Sequence, residues 1–218
     1  MNKERPNWFS RPRCFETLHD PLVDRFIITF DKARGPFEAH FLSKKIKNEE
    51  LILFDAGNEA QAFIFTLDLL MSSILADRIK PDDYIMIVED DYMFKPNWAK
   101  FIIEGINLVG DQGFVAPYDH NDKYDYNIYP NLNAQLYAGN LCHWRTTPST
   151  TNTYAGKAKV FQKFYELHKQ FSQGVSVSRD HEKFIETWKS GGKLISPIPS
   201  IASHIETNYL APCYNWNF

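Results

Sequence analysis

Tyr84-Ile85-Met86-Ile87-Val88, followed directly by Glu89-Asp90-Asp91, is the stretch whose reading decides the fold. A continuous apolar run of this length reads as a strand buried at the centre of a parallel sheet. In open α/β sheets ligands collect at the carboxyl ends of the strands, which is where the three acids fall. Upstream, Phe26–Phe30 ending at Asp31 and Leu51–Phe54 ending at Asp55 read as two further strands. Glu59 to Leu75, apolar nearly all round, reads as a buried helix. Downstream, Trp98, Phe101, Ile102, Ile106 and Leu108 recur at helical spacing, and Phe114-Val115-Ala116 closes on Pro117 as a short strand. From Tyr118 to Thr153 the pattern gives way to Asn, Asp, Tyr, Thr and Pro, the composition of a long functional loop. Val160, Phe161, Phe164, Leu167 and Phe171 mark an amphipathic helix. Phe184, Ile185 and Trp188 mark another, stopped by Gly191-Gly192 ahead of a last strand at Lys193–Ser196. Strands alternating with helices predict an α/β fold: a mostly parallel central sheet flanked by helices, with a loop-rich C-terminal half.

At 218 residues the chain is expected to form a single domain, 1–218. Lys and Arg number 24 against 27 Asp and Glu, a net charge of −3, which argues against a dedicated nucleic-acid binder. Cys14, Cys142 and Cys213 are odd in number and far apart, so free buried thiols are expected, not a disulfide framework or a zinc ribbon. The polar start at Met1-Asn2-Lys3-Glu4 is unlike a signal peptide, and Ala60–Ala76 is broken by Gln61, Asp68 and two serines. A soluble, cytoplasmic protein without a transmembrane segment is the expectation.

Three consecutive carboxylates repel one another, and a hard divalent cation such as Mg²⁺ or Mn²⁺ offsets them well when a substrate's phosphates complete its shell. Along an extended segment Glu89 and Asp91 point together and Asp90 points away. A solvated acidic turn or a helix cap is the structural alternative. Asp180, in Ser178-Arg179-Asp180-His181-Glu182, reads either as a first-turn acid favoured by the helix dipole or as a general base. Arg145 lies in the polar run His143-Trp144-Arg145-Thr146-Thr147-Pro148-Ser149-Thr150-Thr151 and is suited to phosphate or carboxylate; a solvated loop is the plainer reading. His204 alone carries no local argument for ligation.

Taken in order, several blocks resemble one family: Arg5-Pro6-Asn7-Trp8-Phe9 with Cys14; Gly57-Asn58 with Ala62-Phe63; Val88-Glu89-Asp90-Asp91-Tyr92; and Pro117-Tyr118-Asp119-His120 with Asp122-Lys123-Tyr124. The loop His143 to Thr151, Asp180 with Phe184, and Pro197-Ile198-Pro199-Ser200 through His204-Ile205-Glu206 to Trp216 complete the set. The chain resembles nucleotide-sugar-dependent glycosyltransferases of the GT-A fold, and is most similar to a family-2-like group from bacteria and large viruses.

That resemblance implies a Rossmann-like GT-A domain with a nucleotide-binding half at about 1–116 and an acceptor-side half at about 117–218. It puts Glu89 and Asp91 in the place of the DxD signature, with His204 as a further metal ligand to Mn²⁺ or Mg²⁺. Asp180 matches the usual base of inverting members. Asp31, Asn58, Asp90 and Arg145 fall where the nucleoside-diphosphate sugar, a UDP-sugar by preference, is held. Asp119, His120, Trp144 and Thr147 fall around the donor sugar and a glycan or glycoprotein acceptor. The resemblance also allows one domain of a larger multi-domain transferase, working in a host cytoplasm if viral. Two other classes fit the same residues less well: a nucleotidyltransferase on a related sheet, and a non-catalytic carbohydrate-binding module.

Overall fold

The computed structural model describes residues 4–46, 50–125, 134–212 and 214–217, the side chain of Arg34 apart. Helix α1 (Arg11–Thr17) is followed by strand β1 (Ile27–Asp31), helix α2 (Leu42–Lys45), strand β2 (Glu50–Phe54) and helix α3 (Glu59–Leu75). Strands β3 (Tyr84–Ile87) and β4 (Tyr92–Phe94) flank the acidic triplet; helix α4 (Trp98–Val109) and strand β5 (Gly113–Val115) come next. Strands β6 (Leu136–Ala138), β7 (His143–Thr146) and β8 (Tyr154–Lys157) precede helices α5 (Ala158–Gln170) and α6 (Asp180–Lys189). Strands β9 (Lys193–Ile198) and β10 (Ala202–His204) end the series.

The fold is mixed α/β, with a six-stranded sheet in the order β3-β8-β5-β9-β7-β6. The expectation of a mostly parallel sheet is corrected: among the described residues, β5–β9 is the one parallel pair in it. β3 is not central but an edge strand, antiparallel to β8 and only half-buried. β1 and β2 form their own parallel pair, and β4 pairs antiparallel with β10.

Local chemistry explains the elements that position the site. Asn58 caps α3 by accepting from the Gln61 amide at 2.9 Å, and Glu59 complements the dipole in the first turn. The buried apolar positions of α3, namely Ala60, Phe63, Ile64, Leu67, Leu70 and Met71, lie on one face. The helix is therefore one-sided, and Leu75 stands 79% exposed, contrary to the expectation of burial all round. α4 buries Trp98, Ile102, Ile106 and Val109 against β5 and β9, and Gly110 at φ 56° ends it.

Two apolar clusters result. One joins α1, β4 and α4 to Trp144 and Ile195; the other joins α3, α5 and α6 around Phe114 and Tyr154. The stretch expected as loop from Tyr118 to Thr153 contains β6 and β7, and its residues 126–133 lie outside the described residues. No helix among the described residues is long and apolar enough to cross a membrane.

Candidate functional site

The acids at the end of β3 are placed by three different neighbours. Pairing of β4 with β10 sets His204 opposite Tyr92, and the Ile205 amide continues the ladder by donating to the Asp91 carbonyl at 3.0 Å. As a result His204 Nε2 lies 3.1 Å from Asp91 Oδ2, across 113 residues of sequence. The imidazole stacks on the Tyr92 ring, 5.2 Å between centroids, and both Asp91 and His204 are buried. Arg5 Nη2 donates to the same Asp91 Oδ2 at 2.6 Å, and its Nη1 donates to the Ile205 carbonyl. Asp90 turns outward, as the alternation along an extended segment requires, and is met by Arg11 Nε at 2.8 Å.

Glu89 takes a different course from Asp91. Its amide donates to Thr153 Oγ1 at 3.0 Å, and the same hydroxyl lies 3.4 Å from Glu89 Oε2. Burial, then the charges of Asp91, Asp180 and Glu59, push its carboxyl up to about 8, against a small opposing effect of the Thr151 hydroxyl. Asp91 and His204 thus meet, whereas Glu89 does not complete a set with them. Among the described residues, no three or more His, Cys, Asp or Glu side chains form a group that could hold a metal ion unaided. A carboxylate oxygen and an imidazole nitrogen 3.1 Å apart, both buried, can share one hard cation, with the rest of its shell drawn from solvent or a phosphate ligand.

A cleft of about 580 Å³ is lined by His120, Asp122, Lys123, Ser149, Thr150, Thr151, Asp180 and His181, and it is joined to the acids through Tyr92, whose hydroxyl meets Thr151. The loop 147–153 is fastened to the acidic strand end by the 2.8 Å contact of Tyr92 Oη with Thr151 Oγ1 and by the Thr153–Glu89 bonds. Thr147 anchors the start of that loop, its amide donating to the Leu194 carbonyl at 2.9 Å and its hydroxyl to the Ser149 carbonyl at 3.3 Å. His120 pairs through Nδ1 with Asp122 Oδ1 at 3.0 Å. Burial pushes Asp122 up, but the His120 and Lys123 hydrogen bonds and charges outweigh it and hold the carboxyl down at about 2.

Asp180 opens α6 at the cleft wall. Its Oδ1 accepts from Lys183 Nζ at 2.9 Å, and Lys183 also donates to Asn152 Oδ1 at 2.6 Å. The lysine has no solvent exposure and sits among the rings of Phe63, Phe184 and Tyr154, its Nζ 4.4, 5.1 and 5.4 Å from their centroids.

No protein-family model matches the chain, and no curated protein matches it either.

Other expected site residues are engaged elsewhere. Trp144 is a correction: fully buried, it donates from Nε1 to Glu104 at 3.1 Å and packs against Gly105, so it presents no face to a sugar. Arg145, expected to hold phosphate, is 5% exposed and bound to Asp119, with Nη2 2.7 Å and Nε 2.8 Å from Oδ1. Asp119 is itself buried and accepts from Ser196 Oγ at 3.0 Å and from the Tyr124 hydroxyl, whose ring lies 4.3 Å under the Arg145 guanidinium. Both are framework residues, sealed by the β7–β9 pairing. Asp31 accepts from the amides of Ala33, Ala56 and Gly57, and Asn58 caps α3; each shapes the carboxyl end of the β1–β2 pair.

Lys123, Lys183 and Arg5 were not singled out from the sequence as site residues. Asp180, Lys183, Phe184 and Thr187 share one helical face, of which the last three are buried. Cys14 and Cys142 are free, and burial pushes each thiol up to about 12, which favours the protonated form. Cys213 lies outside the described residues.

Proposed function

We propose that the chain is a GT-A-like glycosyltransferase that moves a sugar from a nucleoside-diphosphate donor, a UDP-sugar by preference, to an acceptor hydroxyl on a glycan. The observation that carries the reading is the meeting of Asp91 with His204 near a polar cleft whose wall bears Asp180. Mn²⁺ or Mg²⁺ held by Asp91 and His204 would neutralise charge on the donor's diphosphate.

The chain's own groups supply the rest. Lys123, whose Nζ lies 2.9 Å from Asp122 and 3.1 Å from Ser149 Oγ, is like Arg145 a buried, paired cation, and it braces the cleft wall. The hydroxyls of Ser149, Thr150 and Thr151 offer hydrogen bonds to sugar hydroxyls along the same wall. Asp180 takes the proton of the acceptor hydroxyl as its oxygen bonds to the anomeric carbon. The bond from that carbon to the diphosphate oxygen breaks, the nucleoside diphosphate leaves with the electron pair, and the configuration inverts. Lys183 fixes the carboxylate through Oδ1.

The test is product analysis after incubation with nucleotide sugars, Mn²⁺ and glycan acceptors. Free nucleoside diphosphate is expected, with Asp180→Asn lowering turnover about 10²- to 10⁴-fold and sparing donor binding. Release of pyrophosphate would instead make the chain a nucleotidyltransferase, and glycan binding with no turnover would make it a carbohydrate-binding module.

A further inference from the structure

Asp91 is held by a cation that belongs to the chain itself. The Arg5 guanidinium touches the same carboxylate oxygen that His204 approaches, at 2.6 Å against 3.1 Å. A divalent ion taken up by that oxygen would stand beside a guanidinium of like charge, in a place where Asp91 and His204 are both buried and water screens poorly. The two cations therefore compete for one oxygen.

Arg5 is also built to let go. Its Nη1 donates to the Ile205 carbonyl, its guanidinium carbon lies 4.7 Å over the Phe9 ring, and the neighbouring Glu4 carbonyl accepts from the Thr207 amide at 2.9 Å. None of these contacts involves Asp91. The Arg5 side chain as a whole keeps 18% of its exposure, against 7% for Asp91. Phe9 serves Arg11 in the same way, at 5.6 Å, and Arg11 holds Asp90. The segment from Arg5 to Arg11 thus brings two guanidinium groups, both within reach of the Phe9 ring, to two of the three acids.

We infer that Arg5 is a displaceable counter-cation of the acidic site, occupying Asp91 until a divalent ion takes the carboxylate from it, and so setting the affinity for that ion. The inference rests on the proposed reading that Asp91 and His204 hold a cation. By reciprocity, whatever Arg5 gains from Asp91 the ion must overcome.

The experiment is a calorimetric Mn²⁺ titration of the whole chain, without nucleotide, for the wild type, Arg5→Gln, Arg5→Lys and the double variant Arg5→Gln/Asp91→Asn. Arg5→Gln should bind Mn²⁺ about tenfold more tightly or better, Arg5→Lys should resemble the wild type, and the double variant should lose the gain. Circular dichroism establishes that each variant is folded. Equal or weaker binding by folded Arg5→Gln overturns the inference, as does a gain that survives in the double variant. The titration reads no sugar transfer. Tighter Mn²⁺ binding by a chain that transfers nothing would uphold the competition and sink the transferase.

Discussion

Lys183 Nζ lies 2.9 Å from Asp180 Oδ1 although the lysine side chain is wholly sealed from solvent and the aspartate keeps 23% of its exposure. A buried ammonium needs a partner, and Asp180 of α6 and Asn152 of the loop 147–153 supply it. The lysine therefore ties the candidate base to the cleft wall. Lys183→Met, which keeps the length but removes the charge, should destabilise the chain by about 2–4 kcal/mol, because Asn152 Oδ1 and Asp180 both lose a donor. Urea denaturation checks this: the midpoint should fall with an unchanged slope.

Arg145 gives a prediction of the same kind with a sharper contrast. Bound to Asp119 and nearly unexposed, it should behave as framework: Arg145→Ala should cost about 3–5 kcal/mol of stability by stranding a buried carboxylate. Were it a surface phosphate donor, the same change would alter donor affinity and leave the denaturation midpoint alone.

Gly105 on α4 faces Trp144 so closely that a Cβ there would come within 2.7 Å of the indole. The indole is fully buried and cannot yield, so Gly105→Ala should overpack the core and cost about 1–3 kcal/mol. A lowered melting temperature, with a shift in tryptophan emission, is the expected readout.

Glu89 makes stability depend on pH in a stated direction. Its carboxyl rises from an ordinary 4.5 to about 8 in the folded chain, so between those values the native state binds the extra proton. Its contribution is fully present below about 4.5 and is lost as pH rises through about 8. Glu89→Gln, measured in EDTA, should match the wild type below pH ~4.5 and exceed it at pH ~9 by at least about 1 kcal/mol. Denaturation curves that run parallel across that range would contradict the assignment.

Much of the fold could be read from the sequence where the signal is local. The helix read from Glu59 to Leu75 has those bounds in the structure, because a cap, a first-turn acid and a long apolar periodicity all mark it. The position of β3 could not be read: an apolar run of that length looks alike at the centre and at the edge of a sheet. Its partner β8, Tyr154-Ala155-Gly156-Lys157, carries little strand propensity and pairs with it from 70 residues away. β7 passed for a polar loop because Arg145 looks solvated until Asp119 is seen to neutralise it. The meeting of His204 with Asp91 depends on the β4–β10 pairing, which no local pattern encodes; the family resemblance supplied that residue, and it supplied Arg5 only as part of a block, without a role at Asp91.

In the proposed function, Asp91 and His204 present a cation to a nucleoside diphosphate near the Asp180 cleft. Isothermal titration of a panel of nucleotide sugars, with Mn²⁺ or with EDTA, tests it most directly, in the wild type and in Asp91→Ala. At least one donor should bind in a manner that needs Mn²⁺, and that binding should disappear in folded Asp91→Ala. Donor affinity unchanged by EDTA or by Asp91→Ala, or no binding anywhere in the panel, would contradict it.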